Sequence, residues 1–252
     1  IMIAFYHFST IFISAVWVCL AEYYYSSYQN DGAYDYKETV NSIYNGFILL
    51  VIQGLSAWFF ITVGNKLYTM LWGIPEKSST LAFIGTFIVV DLLYYFFHRT
   101  HHRIEKLLPI HLIHHSGSKY NFSLGLMLPW FDQFYIYLYF LPLVLIGFNP
   151  TAVLFSYLFL FSYQFCCHCA YISLPAFFDY VLVTPRNHGV HHHQEITHQS
   201  SNFGGVLSVW DHIFKTYTHV KKEKSFVFGI AGQPQTNFWD MQKESVVQLF
   251  KK

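Results

Sequence analysis

The chain has 252 residues, of which 54% are hydrophobic and 21% aromatic, while only 12% are charged. A soluble fold has too little polar surface to cover that much apolar mass, so lipid is the expected solvent. The net charge is +1, and the absence of any Arg-rich arm or basic stripe excludes nucleic acid as a partner.

Five apolar runs approach the roughly 20 residues that a helix needs to cross a bilayer: 3–20, 46–63, 81–97, 124–148 and 152–172. The first lacks the basic flank and small-residue cleavage site of a signal peptide and is read as a retained span. Tyr23, Tyr24 and Tyr25, then Tyr94 and Tyr95, then Trp130 stand at run ends, where an aromatic belt anchors helices in the interface. Pro109 interrupts the polar, His-rich stretch between the third and fourth runs. Asn149 and Pro150 break the last two runs into a tight hairpin. After Ser173, Leu174 and Pro175, the apolar stretch 176–183 suits the interface plane better than a crossing. Cys19, Cys166, Cys167 and Cys169 lie in or beside apolar runs and read as small core residues in a reducing compartment. Cys166, Cys167, His168 and Cys169 lack the spacer that a zinc knuckle requires. No repeat or flexible linker divides the chain, so 1–252 is expected to be one membrane-embedded domain.

Charge placement orients these runs. If segments 21–45, 98–123 and 173–252 share one side, they hold 13 of the 15 Lys and Arg, leaving Lys66 and Lys77 opposite. The positive-inside rule then puts both His-rich segments and the tail in the cytoplasm. The expected fold is all-α: about four transmembrane helices in two hairpins, with a helical His-rich cap facing the cytoplasm. A bacterial inner membrane or endoplasmic reticulum would suit it.

Fifteen histidines are present, and twelve of them fall between His98 and His198. His98 and His102 are four apart, so a helix presents them on one face. His111, His114 and His115 repeat at i, i+3 and i+4, as do His188, His191 and His192. Neutral imidazoles suit iron, zinc or copper, and eight or more converging on one place exceed what one metal accepts. The count implies two metals. A carboxylate-bridged centre of the ferritin kind is excluded, because these segments lack its paired helical Glu and Glu-x-x-His.

The stretches DLLYYFFHRTHH at 91–102, HLIHHS at 111–116, TPRNHGVHH at 184–192 and NFGGVLSVWDHIFKTY at 202–217 together resemble the fatty acid hydroxylase/sterol desaturase superfamily over roughly 81–217. The tandem Gly204 and Gly205 followed by Trp210 and Asp211 resembles most its alkylglycerol monooxygenase-like and bacterial sterol-desaturase-related branch. Lys215 stands where many relatives carry glycine, and Cys169 where a hydroxyl residue is common. The resemblance implies nine metal ligands: His98, His102, His111, His114, His115, His168, His188, His191 and His192. It implies two iron ions, for which zinc can substitute in a structure. It also implies O2-dependent hydroxylation or desaturation of a lipid, whether sterol, fatty acyl or ether lipid. Electrons must then come from outside, from a cytochrome b5-type protein or a ferredoxin with its reductase, because the chain has no dinucleotide fingerprint, haem-attachment motif or ferredoxin cysteine pattern.

His101 falls on no motif position, and His193 and His198 extend the third cluster without matching it. Asp91 precedes His98 by two helical turns and is expected to accept a hydrogen bond from a ligand imidazole. Asn202 and Asp211 are further candidates for partners of the ligands. Two competing readings are a metal transporter or metal-binding membrane protein with a His-rich loop, and a scaffold without activity. A transporter should carry acids or histidines at mid-membrane in facing spans, whereas here nearly all lie at span ends or outside. A scaffold need not retain every motif histidine.

Overall fold

The computed structural model describes residues 2–169, 171–219, 226–230 and 238–250, with side chains from residue 9 onward. Five long helices form its body: α1 (Met2–Gln29), α2 (Tyr36–Trp72), α3 (Thr80–Arg103), α5 (Trp130–Leu145) and α6 (Pro150–Cys167). Short elements build the cap: α4 (Leu108–His111), α7 (Pro185–His191), α8 (Ile196–Gln199), α9 (Val209–Ile213) and α10 (Phe238–Phe250), with 3₁₀ turns at Phe122–Leu126 and Ala176–Tyr180. Among the described residues the only extended pairings are single bridges, Leu182 with Leu207 and His193 with Phe228.

Helix ends follow local chemistry. Asp35 caps α2 by accepting from the Glu38 amide at 2.9 Å, and Ser79 caps α3 through the Ala82 amide at 3.2 Å. Asn149 accepts from the amides of Thr151 and Ala152, and Pro150 opens α6, where its missing N–H costs nothing. Between α5 and α6 the chain reverses at Gly147, whose φ of 100° is a conformation open to glycine.

Helices α2, α3 and α6 are long and apolar enough to cross a membrane. The run 46–63 is the centre of a far longer helix: 37 residues, about 55 Å at 1.5 Å per residue. Its first turns carry Thr39, Ser42 and Asn45 because the cap buries them. Asn45 donates to the carbonyls of Leu126 and Leu128 at 2.8 and 2.9 Å. The run 124–148 is instead divided. Leu124 and Leu126 belong to the 3₁₀ turn, Pro129 stands just before the next helix, and α5 keeps only 16 residues, about 24 Å. Apolar character there serves the cap as well as the body, so the run overstates the helix. Run 3–20 lies within α1, and 176–183 begins in a 3₁₀ turn whose Phe177 and Tyr180 are exposed.

The segments sort to two ends. At one, Asn149 donates to the Glu76 carbonyl at 2.6 Å. At the other, Asn121 donates to Ala33 O at 2.8 Å, Ser118 N donates to the Glu38 carboxylate at 3.1 Å, and Tyr171 donates to Asp31 at 2.6 Å. This second end carries all the histidine motifs. Between the ends, Phe60, Tyr137, Phe140 and Tyr157 fill the core with Ala57, Val90 and Val153. Small residues set the close approaches that lipid-embedded helices rely on. A Cβ on Gly46 would lie 2.7 Å from Phe12, and one on Gly64 3.2 Å from Pro150.

Candidate metal centre

Four pieces of chain deliver imidazoles to one place. The last two turns of α3 carry His98 and His102, both buried. The chain leaves that helix at Ile104 and restarts at α4 with Pro109 in its first turn, and His111 closes this short helix ahead of His114 and His115. His168 sits at the C-cap of α6, out of helical geometry. A reciprocal capping box starts α7: Thr184 accepts from the Asn187 amide and Asn187 accepts from the Thr184 amide at 2.7 Å. That box fixes the direction of His188, His191 and His192.

The nine histidines fall into two buried groups. His98, His102, His111, His115 and His191 form one, and His114, His168, His188 and His192 the other. Within each group one ring nitrogen per residue lies within 4.8 Å of all the others. The motifs do not map one to a group. The first goes wholly to one group, while the second and third are each divided, so α4 with its following turn and α7 straddle both.

Hydrogen bonds set which ring nitrogen faces inward. Nδ1 of His98 donates to Phe203 O at 3.1 Å, that of His114 to Met127 O at 3.0 Å, that of His168 to Gln164 O at 2.8 Å and that of His191 to Ser201 O at 2.8 Å. A neutral ring whose proton is committed at Nδ1 presents a lone pair at Nε2. The Nε2 atoms of His114 and His168 nevertheless lie 3.2 Å apart, and His192 Nε2 lies 3.2 Å from that of His168. Lone pairs facing one another repel unless a cation lies between them. Metal–nitrogen bonds of about 2.1 Å at right angles put two ligand atoms about 3.0 Å apart, which matches these spacings. Both ring nitrogens of His102 and His115, and Nε2 of His191, are buried with no hydrogen-bond partner among the described residues. Burial holds the His114 imidazole down to about 4 and that of His191 to about 3. Burial first, then neighbouring imidazoles, pushes His111, His115, His188 and His192 well below the usual range. Neutral imidazoles are the form that binds metal, so the residues fit a pair of metal ions.

The expected partners of these rings act one step further out. Among the described residues no imidazole donates to Asp91. It accepts from Val206 N at 2.7 Å, Leu207 N at 3.2 Å and Trp210 Nε1 at 2.8 Å. Although it shares a helix with His98, the 204–210 loop occupies the space in front of it and satisfies the carboxylate with backbone donors. Asp211 likewise accepts from Phe203 N and Gly204 N, both at 2.8 Å, and from Thr216 Oγ1 at 2.7 Å. Asn202, in the left-handed region at φ 56°, donates to Asn187 O and Thr218 O, both at 2.9 Å. Together the three residues hold a loop whose Ser201 and Phe203 carbonyls orient His191 and His98.

The loop also accounts for its glycines. A Cβ on Gly204 would meet Leu207 O at 2.7 Å, and one on Gly205 would meet Asp91 Oδ1 at 2.7 Å. Lys215 adopts φ 58°, the left-handed conformation that glycine takes at little cost, which is why glycine suits this position.

Two polar groups escape the spacing argument. Asp132, on α5 and 2% exposed, places Oδ1 3.2 Å from His101 Nε2 and Oδ2 3.9 Å from His111 Nδ1. His101 also donates from Nδ1 to Phe97 O at 2.7 Å and meets the Tyr135 hydroxyl, so it joins neither group. An acid inside an apolar run was the available signal for Asp132, the same one that marks Asp91. His193 and His198 lie apart with Glu195 in a half-exposed cluster.

A cleft opens against both groups. His98, His111, His114, His168 and His188 form one wall. The opposite walls come from α3, α5 and α6 and are mostly apolar, with Phe97, Ile136, Leu160 and Phe161 beside the polar Asp132, Gln133 and Gln164.

The family model for fatty acid hydroxylase matches residues 83–216. Human alkylglycerol monooxygenase is 32% identical over 177 residues, which is 70% of this chain and 38% of that protein. The Danio rerio alkylglycerol monooxygenase is 34% identical over 163 residues, 65% of this chain and 35% of that one. The ornithine lipid hydroxylase of Rhizobium tropici is 26% identical over 152 residues, 60% and 46% of the two chains. This chain therefore spans less than half the length of each of these three relatives. No solved structure matches. The matched segment holds all nine clustered histidines, and the chain belongs to the fatty acid hydroxylase family.

Proposed function

We propose that the chain is a membrane-embedded oxidoreductase that hydroxylates a lipid with O2 at two irons held by the nine buried histidines. One observation carries this reading: the Nε2 lone pairs of His114 and His168 are aimed at each other across 3.2 Å, at the wall of a cleft whose remaining lining is mostly apolar. Two irons bound there would supply the oxidation of an unactivated C–H bond. The protein's own part is to orient the imidazoles through backbone carbonyls, to keep them neutral by burial, and to exclude water from the cleft. His98, His102, His111, His115 and His191 would hold one ion, and His114, His168, His188 and His192 the other.

The cleft and the relatives support a lipid with an alkyl chain as the substrate. The cleft's mostly apolar walls suit an alkyl chain. The relatives' names refer to alkylglycerols and ornithine lipids, which share a polar head on an alkyl chain. Electrons would arrive from an external donor of the cytochrome b5 or ferredoxin kind at the histidine-bearing end, which the positive-inside rule assigns to the cytoplasm. In this arrangement about four helices span the bilayer in two hairpins, with α2, α3 and α6 among them.

The test is expression with a reductase system, followed by mass spectrometry of host lipids and of added alkylglycerol. A gain of one oxygen is expected. A loss of two hydrogens would make the enzyme a desaturase, and no change in any lipid class would refute the oxidase reading.

A further inference from the structure

Within the apolar body lies a polar cluster that the metal groups do not use. Gln53 of α2 donates through Nε2 to Oε1 of Gln133 on α5, and Tyr157 of α6 donates to the same oxygen at 3.3 Å. Tyr137 donates to Gln53 Oε1 at 3.1 Å. The two amide oxygens are thus engaged by these donors, which leaves Nε2 of Gln133 for a partner outside the network. Gln133 is 6% exposed, lines the histidine-walled cleft, and its Nε2 meets no acceptor among the described residues. An amide donor at the wall of a largely apolar cleft is better satisfied when a ligand brings the acceptor.

The surroundings define that acceptor. Ile136 and Leu160 line the cleft beside Gln133, and a second, almost wholly apolar groove between α1 and α2 meets the cleft at Gly125, Leu128 and Phe165. Gln53 borders this second groove while Gln133 borders the first, so the amide pair sits where the two join. A multiply hydroxylated head group would need several partners there, and Gln133 offers one donor.

We propose that Gln133 Nε2 is a positioning group that donates a hydrogen bond to the single oxygen joining alkyl chain and head group of the bound lipid. The bond would set which carbon of the chain faces the histidines, with the rest of the chain free to occupy the groove between α1 and α2. The proposal rests on the lipid reading above, but it concerns binding and can fail separately.

The test compares two probes of equal length, a 1-O-alkylglycerol and the 1,2-alkanediol in which a methylene replaces the ether oxygen. Each is bound to the full chain in nanodiscs. The wild-type protein should favour the ether by about tenfold, the ratio one hydrogen bond provides. Gln133→Met keeps the length and removes the donor, so it should bind both probes alike, with wild-type iron content showing that it is folded. Where turnover is seen, the variant should also scatter the position of the new oxygen along the chain, which a purely structural defect would not do. Equal binding of both probes by the wild type, or an unchanged ratio in Gln133→Met, overturns the proposal. Tenfold discrimination without any lipid oxidation would leave it standing while refuting the oxidase reading.

Discussion

His114 and His168 come from segments 54 residues apart, yet their Nε2 atoms lie 3.2 Å apart, and each ring has its Nδ1 proton committed to a backbone carbonyl. A metal ion shared by the two rings would make that contact favourable. Replacement of His114 by alanine should therefore empty one group of histidines and spare the other. Iron per chain is expected to fall by about half and lipid oxidation to vanish, with the protein still in the membrane. Full iron content with retained turnover would remove His114 from the ligand set.

Asp91 reaches the site only through the 204–210 loop. Asp91→Asn loses a charged acceptor of three donors, and the loop that orients His98 should loosen. A loss of about 10–100-fold in metal retention is expected, the range for groups one step behind the ligands. Gly205→Ala should act alike, because its Cβ would stand 2.7 Å from Asp91 Oδ1. Chelator competition measures both. Wild-type metal retention in both variants would contradict the role given to the loop.

Asp132 faces His101 at 3.2 Å and His111 at 3.9 Å from inside α5. Asp132→Asn should reduce turnover by about 10–100-fold, with iron content reduced less than in His114→Ala. Steady-state rates beside iron analysis decide the matter. Unchanged turnover would mean that the acid only fills space.

Acid should destabilise the metal-free protein in a defined direction. In the unfolded chain an imidazole titrates near 6.5, whereas burial holds folded His114 to about 4 and His191 to about 3. Below about pH 6.5 the unfolded chain takes up protons that the folded chain refuses. Stability is therefore complete above that pH and is lost progressively as pH falls toward 3–4. The Tm of chelator-treated protein in detergent should drop between pH 8 and pH 5. A flat or rising profile would contradict the buried, neutral state of the rings.

Spacing made eight of the nine histidines legible because i, i+3 and i+4 imply one helical face, while His168, alone in its run, is marked only by the family resemblance; all nine lie in the two buried groups. Their division between groups was not legible. It depends on where α4 and α7 sit across the site, and a four-residue helix and a seven-residue helix leave no periodicity to read. Hydropathy located the body but misjudged its lengths. Leu124 and Leu126 are apolar because the cap buries them, not because they cross lipid, and α2 outruns its apolar centre because the cap hydrogen-bonds Asn45. Asp91 was found for its burial, while its partners were misjudged, since donors from 115 residues away leave no local trace.

The most direct measurement is the iron content of the chain purified in detergent, taken on the same sample that is assayed for lipid oxidation. The account predicts two irons per chain and one oxygen gained per lipid oxidised. Oxidation by a chain that holds one iron, or none, would contradict it.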